Sequence, residues 1–362
     1  MILLGARTFA RRCLPHLLRR ANSAHSRRLS VSTAVQSSAK SGSIKGAPCL
    51  RTRPVPEDPP ALASSPHAFL KYIRSPTAAP FVLRDAHSRP ASAADPRLQG
   101  RAEEDPGGGS GSGTLSRAAE GLLRTLRAAG DRLVEVEVGR YDRAADFGRV
   151  EVPLNVYLDW LTASPVEKGK EAAEMQLYLA QWRARDEVPG LAEVVSAPSL
   201  LAPLIEEGAV DLYQTSFFIG LSATVTPLHY DPYFNLYNVY ASSEPSVHAK
   251  HFVLLPPTLS DCLSRADGSV LRNTSPVELH LLKGQSVENF DIAVDPSTPL
   301  RTTEALAESD SAMSCVLREG DTLFVPRRWW HRVENVKLQD VASSTASGWT
   351  AGVGWWFLPR NS

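Results

Sequence analysis

From Asp211 onward the chain breaks into eight short apolar runs, at residues 213–221, 224–229, 236–241, 251–255, 314–317, 322–325, 331–336 and 348–357. Gly, Pro, Asn or Asp fills most of the gaps between them. Runs of this length, bounded by turn residues, read as strands. Many short strands in succession limit the chain to a barrel or a two-sheet sandwich.

The region before them is mixed. Residues 67–73 fit a short amphipathic helix, and 80–84 a short strand. Leu115, Ala118, Ala119, Leu122, Leu123 and Leu126 recur at helical spacing, with Gly130 at the expected stop. Residues 133–138 alternate as a strand, with Glu135 and Glu137 on one face. Helices are expected at 152–162 and 191–201, whereas 174–182 reads equally as strand or helix. Residues 85–114 form an insertion around Gly107–Gly113. It lacks the Gly-Lys-Ser/Thr ending of a phosphate loop. The fold class is mainly β with flanking helices.

The net charge is zero, from 39 basic and 39 acidic residues, but the average hides two pieces. Eleven basic residues and no acidic one precede Glu57, so the remainder carries a net charge of −11. The Arg-, Ser- and Leu-rich start reads as a mitochondrial transit peptide over residues 1–35, which predicts the mitochondrial matrix. Arg27-Arg28-Leu29-Ser30 resembles a matrix-protease cleavage site. A basic tail for nucleic acid, or a nuclear signal, is the alternative, with a nuclear or cytoplasmic address. Residues 36–65, rich in Ser, Ala and Pro, read as disordered linker. Four cysteines without a CxxC pair argue against a disulfide scaffold or a cysteine zinc site. No run of about 18 apolar residues suggests a spanning helix, so no membrane partner is expected.

The chemistry concentrates in Thr226-Pro227-Leu228-His229-Tyr230-Asp231-Pro232 and in the stretch from Gly320 to His331. In a strand, residues two apart share a face, so His229 and Asp231 can aim an imidazole and a carboxylate at one point. His331 supplies a third ligand. Two imidazoles and one carboxylate on one octahedral face leave positions open, as in non-haem Fe(II) oxygenases. An HxD triplet alone is weak evidence; the strand context and the distant Trp329-Trp330-His331 strengthen it. His248 and His251 form an HxxH without a nearby carboxylate or cysteine, and read as strand-flanking histidines. Trp329 and Trp330 read as packing residues.

The pattern His229–Asp231…His331 resembles the JmjC branch of the cupin superfamily. Val134–Gly139, Tyr178-Leu179-Ala180-Gln181 and Leu271-Arg272-Asn273-Thr274-Ser275 are similar to the JmjC-only group typified by JmjC domain-containing protein 5. The resemblance spans about residues 66–358, apart from the Gly/Ser insertion. It implies a double-stranded β-helix (jelly-roll) core over 211–358, with 66–210 as its N-terminal region. It also implies Fe(II) as cofactor, and 2-oxoglutarate and O2 as cosubstrates. Carried over, His229, Asp231 and His331 are the metal and catalytic residues. Tyr178, Thr226, Asn235 and Lys250 match the 2-oxoglutarate positions, where a carboxylate needs a cation and hydroxyl donors. Lys250 lies 21 residues after His229, further than is usual in the family, which fits a lengthened turn around residues 242–247.

Glu137, Gln181, Phe218 and Trp356 match the substrate positions; Glu137 and Gln181 are those that meet a guanidinium. The Glu135/Glu137 pair does not itself single out one glutamate. Phe218 stands where the subgroup often has Trp, and Gly354 where it has a polar residue, so the substrate is less defined than the metal. The resemblance implies a protein hydroxylase acting on Arg or Lys. An N-methyl-lysine demethylase, a tRNA-base hydroxylase and a catalytically silent cupin binding module are the alternatives. If residues 1–29 are removed, the chain carries a net charge of −7, which suits a basic protein partner better than nucleic acid.

Overall fold

The computed structural model describes residues 48–63, 65–86, 115–143, 147–164, 176–265, 271–283, 290–338 and 348–360. The transit-peptide expectation and nearly all of the Gly/Ser insertion lie outside the described residues. Six strands come first: β1 (Cys49–Leu50), β2 (Arg53–Pro54), β3 (Phe81–Leu83), β4 (Leu133–Val138), β5 (Gly148–Pro153) and β6 (Leu177–Trp182). Then follow β7 (Val210–Leu221), β8 (Val225–Tyr230), β9 (Phe234–Ser242) and β10 (His248–Leu255). The chain continues through β11 (Leu279–Lys283), β12 (Phe290–Val294), β13 (Met313–Leu317), β14 (Thr322–Val325), β15 (Trp330–Lys337) and β16 (Trp349–Pro359).

Two antiparallel four-strand layers make the centre. β14-β9-β16-β7 belong to an eight-stranded sheet that continues through β6-β4-β5 and has β3 at its other edge. β13-β10-β15-β8 belong to the facing five-stranded sheet. This alternation of successive strands between two sheets is a jelly roll, the double-stranded β-helix expected from the sequence. Each of the eight apolar runs corresponds to one of its strands. Tyr237, Val239, Phe252, Leu254, Leu323 and Val333 fill the space between the layers.

Helices cover the outer face of the larger sheet. Helix Arg117–Ala128 starts where Ser116 Oγ accepts from Ala119 N at 3.0 Å, and it buries Ala119, Leu122, Leu123 and Leu126. Helix Pro66–Ile73 places Phe69 edge-on to Phe324 at 5.2 Å. No helix among the described residues is long and apolar enough to cross a membrane. Outside the smaller sheet lies a third, three-stranded sheet ordered β1-β12-β11. That second cover explains why every residue of β10 is buried, lysine and histidines included.

Three local expectations are corrected. Residues 36–65 are not linker throughout: β1 pairs with β12, β2 runs parallel to β13, and Leu50 and Val55 are buried. Sparse apolar residues in a Pro-rich segment suffice to add an edge strand to a preformed sheet. The helix expected over 191–201 stops at Leu191–Val194, and the next one, Ala202–Glu206, starts beyond that range. Pro198, between them, has no N–H to continue a helical ladder. The ambiguous 174–182 segment contains β6, and its pairing with β4 and β7 decides the conformation.

Candidate metal and substrate site

His229 and His331 are direct cross-strand partners on β8 and β15, with ring centroids 4.2 Å apart. Asp231 follows the end of β8. The candidate ligand atoms of His229, Asp231 and His331 all lie within 4.8 Å of one another. Each histidine ring is oriented in the same way. His229 Nδ1 donates to the carbonyl of Pro227 at 2.8 Å, and His331 Nδ1 to that of Trp329 at 3.0 Å. Each bond fixes the tautomer that leaves Nε2 unprotonated for a metal. Burial pushes the His331 imidazole down to about 4, with His229 adding to the effect and Asp231 opposing it, so the ring is a neutral donor at neutral pH. Two neutral imidazoles and a carboxylate, converging with their lone pairs free, suit a divalent transition metal such as Fe(II).

A β-bulge sets the approach to this centre. Pairing along β8 and β15 runs His229↔His331 and then Thr226↔Val333, so β8 carries one extra residue at Pro227-Leu228. Without it, Thr226 and His229, three apart, would face opposite ways. With it, both line one cavity, together with Asp231, Asn235, His331, Tyr178 and Trp356. A second bulge does the same for β6, whose register slips between Leu179 and Trp182. Gln181 there adopts φ 52°, a left-handed conformation uncommon outside glycine. Tyr178 and Gln181 consequently line an adjoining cavity with Glu137, Tyr141, Phe218 and Thr226. Tyr178, Phe218 and Thr226 are common to both cavities.

Two strand glycines make room for the aromatic walls. A Cβ on Gly220 would lie 2.7 Å from the Tyr178 ring, and one on Gly354 would lie 2.8 Å from the Trp356 ring. Gly354 thus lets the indole lie back over β16 and donate from Nε1 to Asp231 Oδ2 at 2.8 Å. Phe218 packs between them, its centroid 6.3 Å from Tyr178 and 5.9 Å from Trp356.

Lys250 points into the space between the sheets but is not itself part of either cavity wall. Its Nζ donates to Asn335 Oδ1 at 2.6 Å and lies 5.9 Å from the centroids of both Tyr178 and Tyr237. Burial pushes its ammonium down to about 7. Such an ammonium has three donors; here one is bonded and no carboxylate lies against it among the described residues. A carboxylate-bearing cosubstrate would supply the missing counter-charge, so the surroundings fit 2-oxoglutarate. Tyr178 and Thr226 share a side-chain hydrogen bond beside it. Asn235 accepts from Trp355 N at 3.1 Å through Oδ1.

The structure distinguishes the two glutamates of β4. Glu135 is 57% exposed, whereas the Glu137 side chain is 14% exposed and lines the second cavity. Burial raises the Glu137 carboxyl above its usual range, and Arg149 opposes that rise. His248 and His251 do not converge, because residues three apart in a regular strand face opposite ways. His248 Nδ1 meets Ser222 Oγ at 2.9 Å, and the His251 ring packs on Phe290. Trp330 is fully buried, donating to Ser260 Oγ at 3.0 Å. Asn335, Tyr237, Tyr141 and Arg149 were not anticipated as site residues. Asn335 and Tyr237 did carry a signal: they continue the inward alternation from His331 and Asn235.

Together, the jelly roll and its converging His-Asp-His cluster define a cupin-type candidate metal centre. The cupin-like domain family matches residues 78–362, and the chain belongs to that family. It is 28% identical to the Arabidopsis thaliana protein Lysine-specific demethylase JMJ30 over 58% of this chain and 42% of the relative. It is also 28% identical to Drosophila melanogaster Jumonji C domain-containing protein 5, over 58% of this chain and 46% of the relative. Similarity to the Homo sapiens Bifunctional peptidase and (3S)-lysyl hydroxylase JMJD7 is 27%, over 33% of this chain and 37% of the relative. The chain spans less than half the length of these relatives.

Proposed function

We propose that this chain is an Fe(II)- and 2-oxoglutarate-dependent oxygenase that hydroxylates an arginine or lysine side chain of a protein substrate. The observation that carries the reading is the adjacency of the two cavities: the His-Asp-His cluster lines one, the half-buried Glu137 the other. A cationic side chain whose head reaches Glu137 would pass its aliphatic stem by the metal cluster, where the C–H bonds are.

His229 Nε2, His331 Nε2 and an Asp231 oxygen would hold the iron. Bound iron would supply oxygen activation, by which one atom of O2 would enter a substrate C–H bond and the other succinate, as 2-oxoglutarate lost CO2. The chain's residues bind and orient. Lys250, Tyr178 and Thr226 would receive the distal carboxylate of 2-oxoglutarate. Phe218 and Trp356 would exclude water and flank the stem of the substrate side chain. Glu137 would hold its charge, with Gln181 adding an amide. A guanidinium is suited to this, since it presents several N–H donors in a fixed planar geometry to the carboxylate and the amide.

The demethylase alternative rests on the relatives so named; it would use the same cluster and release formaldehyde from an N-methyl group. Arginine, lysine and N-methyl-lysine peptides assayed for iron-dependent succinate formation separate the readings. The hydroxylase reading expects a +16 product without formaldehyde, lost in His229→Ala and Asp231→Ala. Unchanged turnover in both variants would overturn it. The basic leader supports a mitochondrial address, which imaging of fusions with and without residues 1–35 tests; a nuclear signal in both would oppose it.

A further inference from the structure

Three adjacent strands place Arg149, Glu137 and Tyr178 in one cross-strand row. Glu137 on β4 is directly opposite Arg149 on β5 and directly opposite Tyr178 on β6. Directly paired residues share a face, so the row runs from the sheet edge, at Arg149, towards the cavity, at Tyr178. Arg149 Nη2 donates to Glu137 Oε1 at 3.2 Å, and its Nη1 lies 3.4 Å from Glu135 Oε1. One guanidinium therefore bridges both glutamates of β4. Its carbon lies 5.6 Å from the Phe147 ring centroid, a further constraint on the side chain. Glu137 Oε2 has no bonded partner among the described residues.

We propose that Arg149 is a positioning residue for the substrate's cationic side chain: it holds one oxygen of Glu137 and leaves the other for the cavity. It rests on the proposed cation-binding role of Glu137 and adds how that role is sustained. Alone, a desolvated carboxylate at this place would tend to take up a proton and become a poor partner for a cation. The other groups that face it do not prevent this. Glu135 on the same strand is like-charged, and Tyr141 and Tyr178 are neutral phenols whose burial keeps them so. Arg140, in the same cavity wall, is committed to Asp142 and Glu278 at 2.7–3.0 Å. Among the described residues, Arg149 is the cation left to keep Glu137 ionised, and its ion pair with Glu135 fixes the angle at which it does so.

The test is carboxyl NMR on the full chain with 13C-labelled glutamate, the Glu137 signal being assigned by its loss in Glu137→Gln. Removing Arg149 (Arg149→Ala) should raise the Glu137 pKa by about one unit, a tenfold change in the protonation equilibrium, and Arg149→Lys should restore part of it. Arg149 is exposed at the sheet edge, so the fold should survive both changes; circular dichroism checks this. An unchanged Glu137 titration in Arg149→Ala overturns the proposal. Binding of N-acetyl-L-arginine amide, measured on the same samples, should weaken in Arg149→Ala at pH 6 and recover towards pH 8. Tighter binding would make Arg149 a competitor of the substrate and also overturn the proposal. If the Glu137 pKa shifts as expected but the probe binds no form of the protein, the cation-substrate reading fails and the positioning role with it, leaving only that Arg149 keeps Glu137 ionised.

Discussion

The indole N–H of Trp356 donates to Asp231 Oδ2 at 2.8 Å, tying an aromatic cavity wall to the carboxylate of the candidate metal cluster. The same Oδ2 lies 3.6 Å from His331 Nε2. On the proposed function, substrate contact and ligand orientation therefore meet in one side chain. Replacing Trp356 with Phe keeps the aromatic volume but removes the donor. Loss of an outer partner of this kind weakens metal binding by about 10- to 100-fold. Titration with Co(II), followed by absorbance or calorimetry, should show a loss of this size without a change in thermal stability greater than a few degrees.

Gly354 makes that contact possible, so Gly354→Ala should resemble Trp356→Phe. A methyl group placed 2.8 Å from the indole forces the ring off Asp231. The double variant should bind Co(II) about as weakly as either single one, because both act through the same bond. Additive losses would show that Gly354 acts elsewhere.

Lys250 gives the site a pH dependence of known sign. Its folded pKa, about 7, lies below the ordinary 10.5, so between these values the unfolded chain holds a proton that the folded chain does not. Stability should therefore rise with pH across that window, and Lys250→Met should flatten the rise. A carboxylate beside the ammonium favours the charged form. N-oxalylglycine, as a 2-oxoglutarate mimic, should then bind with net proton uptake above pH 7 and more weakly as pH climbs. Calorimetry in buffers of different ionisation enthalpy reads the uptake; none would place the mimic away from Lys250.

Asp321 tests the fold independently of the site. Its carboxylate accepts from Arg84 Nη1 at 2.6 Å, Arg318 N at 2.8 Å and Asp85 N at 3.2 Å, joining the start of β14 to the segment after β3. The residue is 5% exposed. Asp321→Ala leaves these donors without their acceptor and should cost about 2–4 kcal/mol in denaturant unfolding. Co(II) affinity at temperatures where the variant stays folded should not change.

The jelly roll was legible because its strands are short and separated by turn residues, from Tyr213 to Phe357. Turn residues do not reveal where a strand carries one residue too many. Simple alternation puts Thr226 opposite to His229 and Tyr178 opposite to Gln181; only the pairing with β15 and β7 exposes the bulges that bring each pair to one cavity. Lys250 was singled out through a family pattern despite its unusual spacing. Its partner Asn335 was missed, although it continues the inward alternation of His331 and Val333. Arg149 gave no signal, since its link to Glu137 depends on the register of β4 against β5. β11 and β12 were passed over for a different reason. They form an outer sheet whose apolar residues meet the back of β10, and neither segment shows strong alternation.

The proposed oxygenase requires that His229, Asp231 and His331 hold iron in a form that also chelates 2-oxoglutarate. Anaerobic addition of Fe(II), then of 2-oxoglutarate, tests this most directly through the visible charge-transfer absorption of a keto acid chelated to Fe(II). The expected result is a band that needs both additions, saturates at one equivalent of each, and is absent in His229→Ala, Asp231→Ala and His331→Ala. A band that persists in those variants, or its absence from the unmodified protein, would contradict the account.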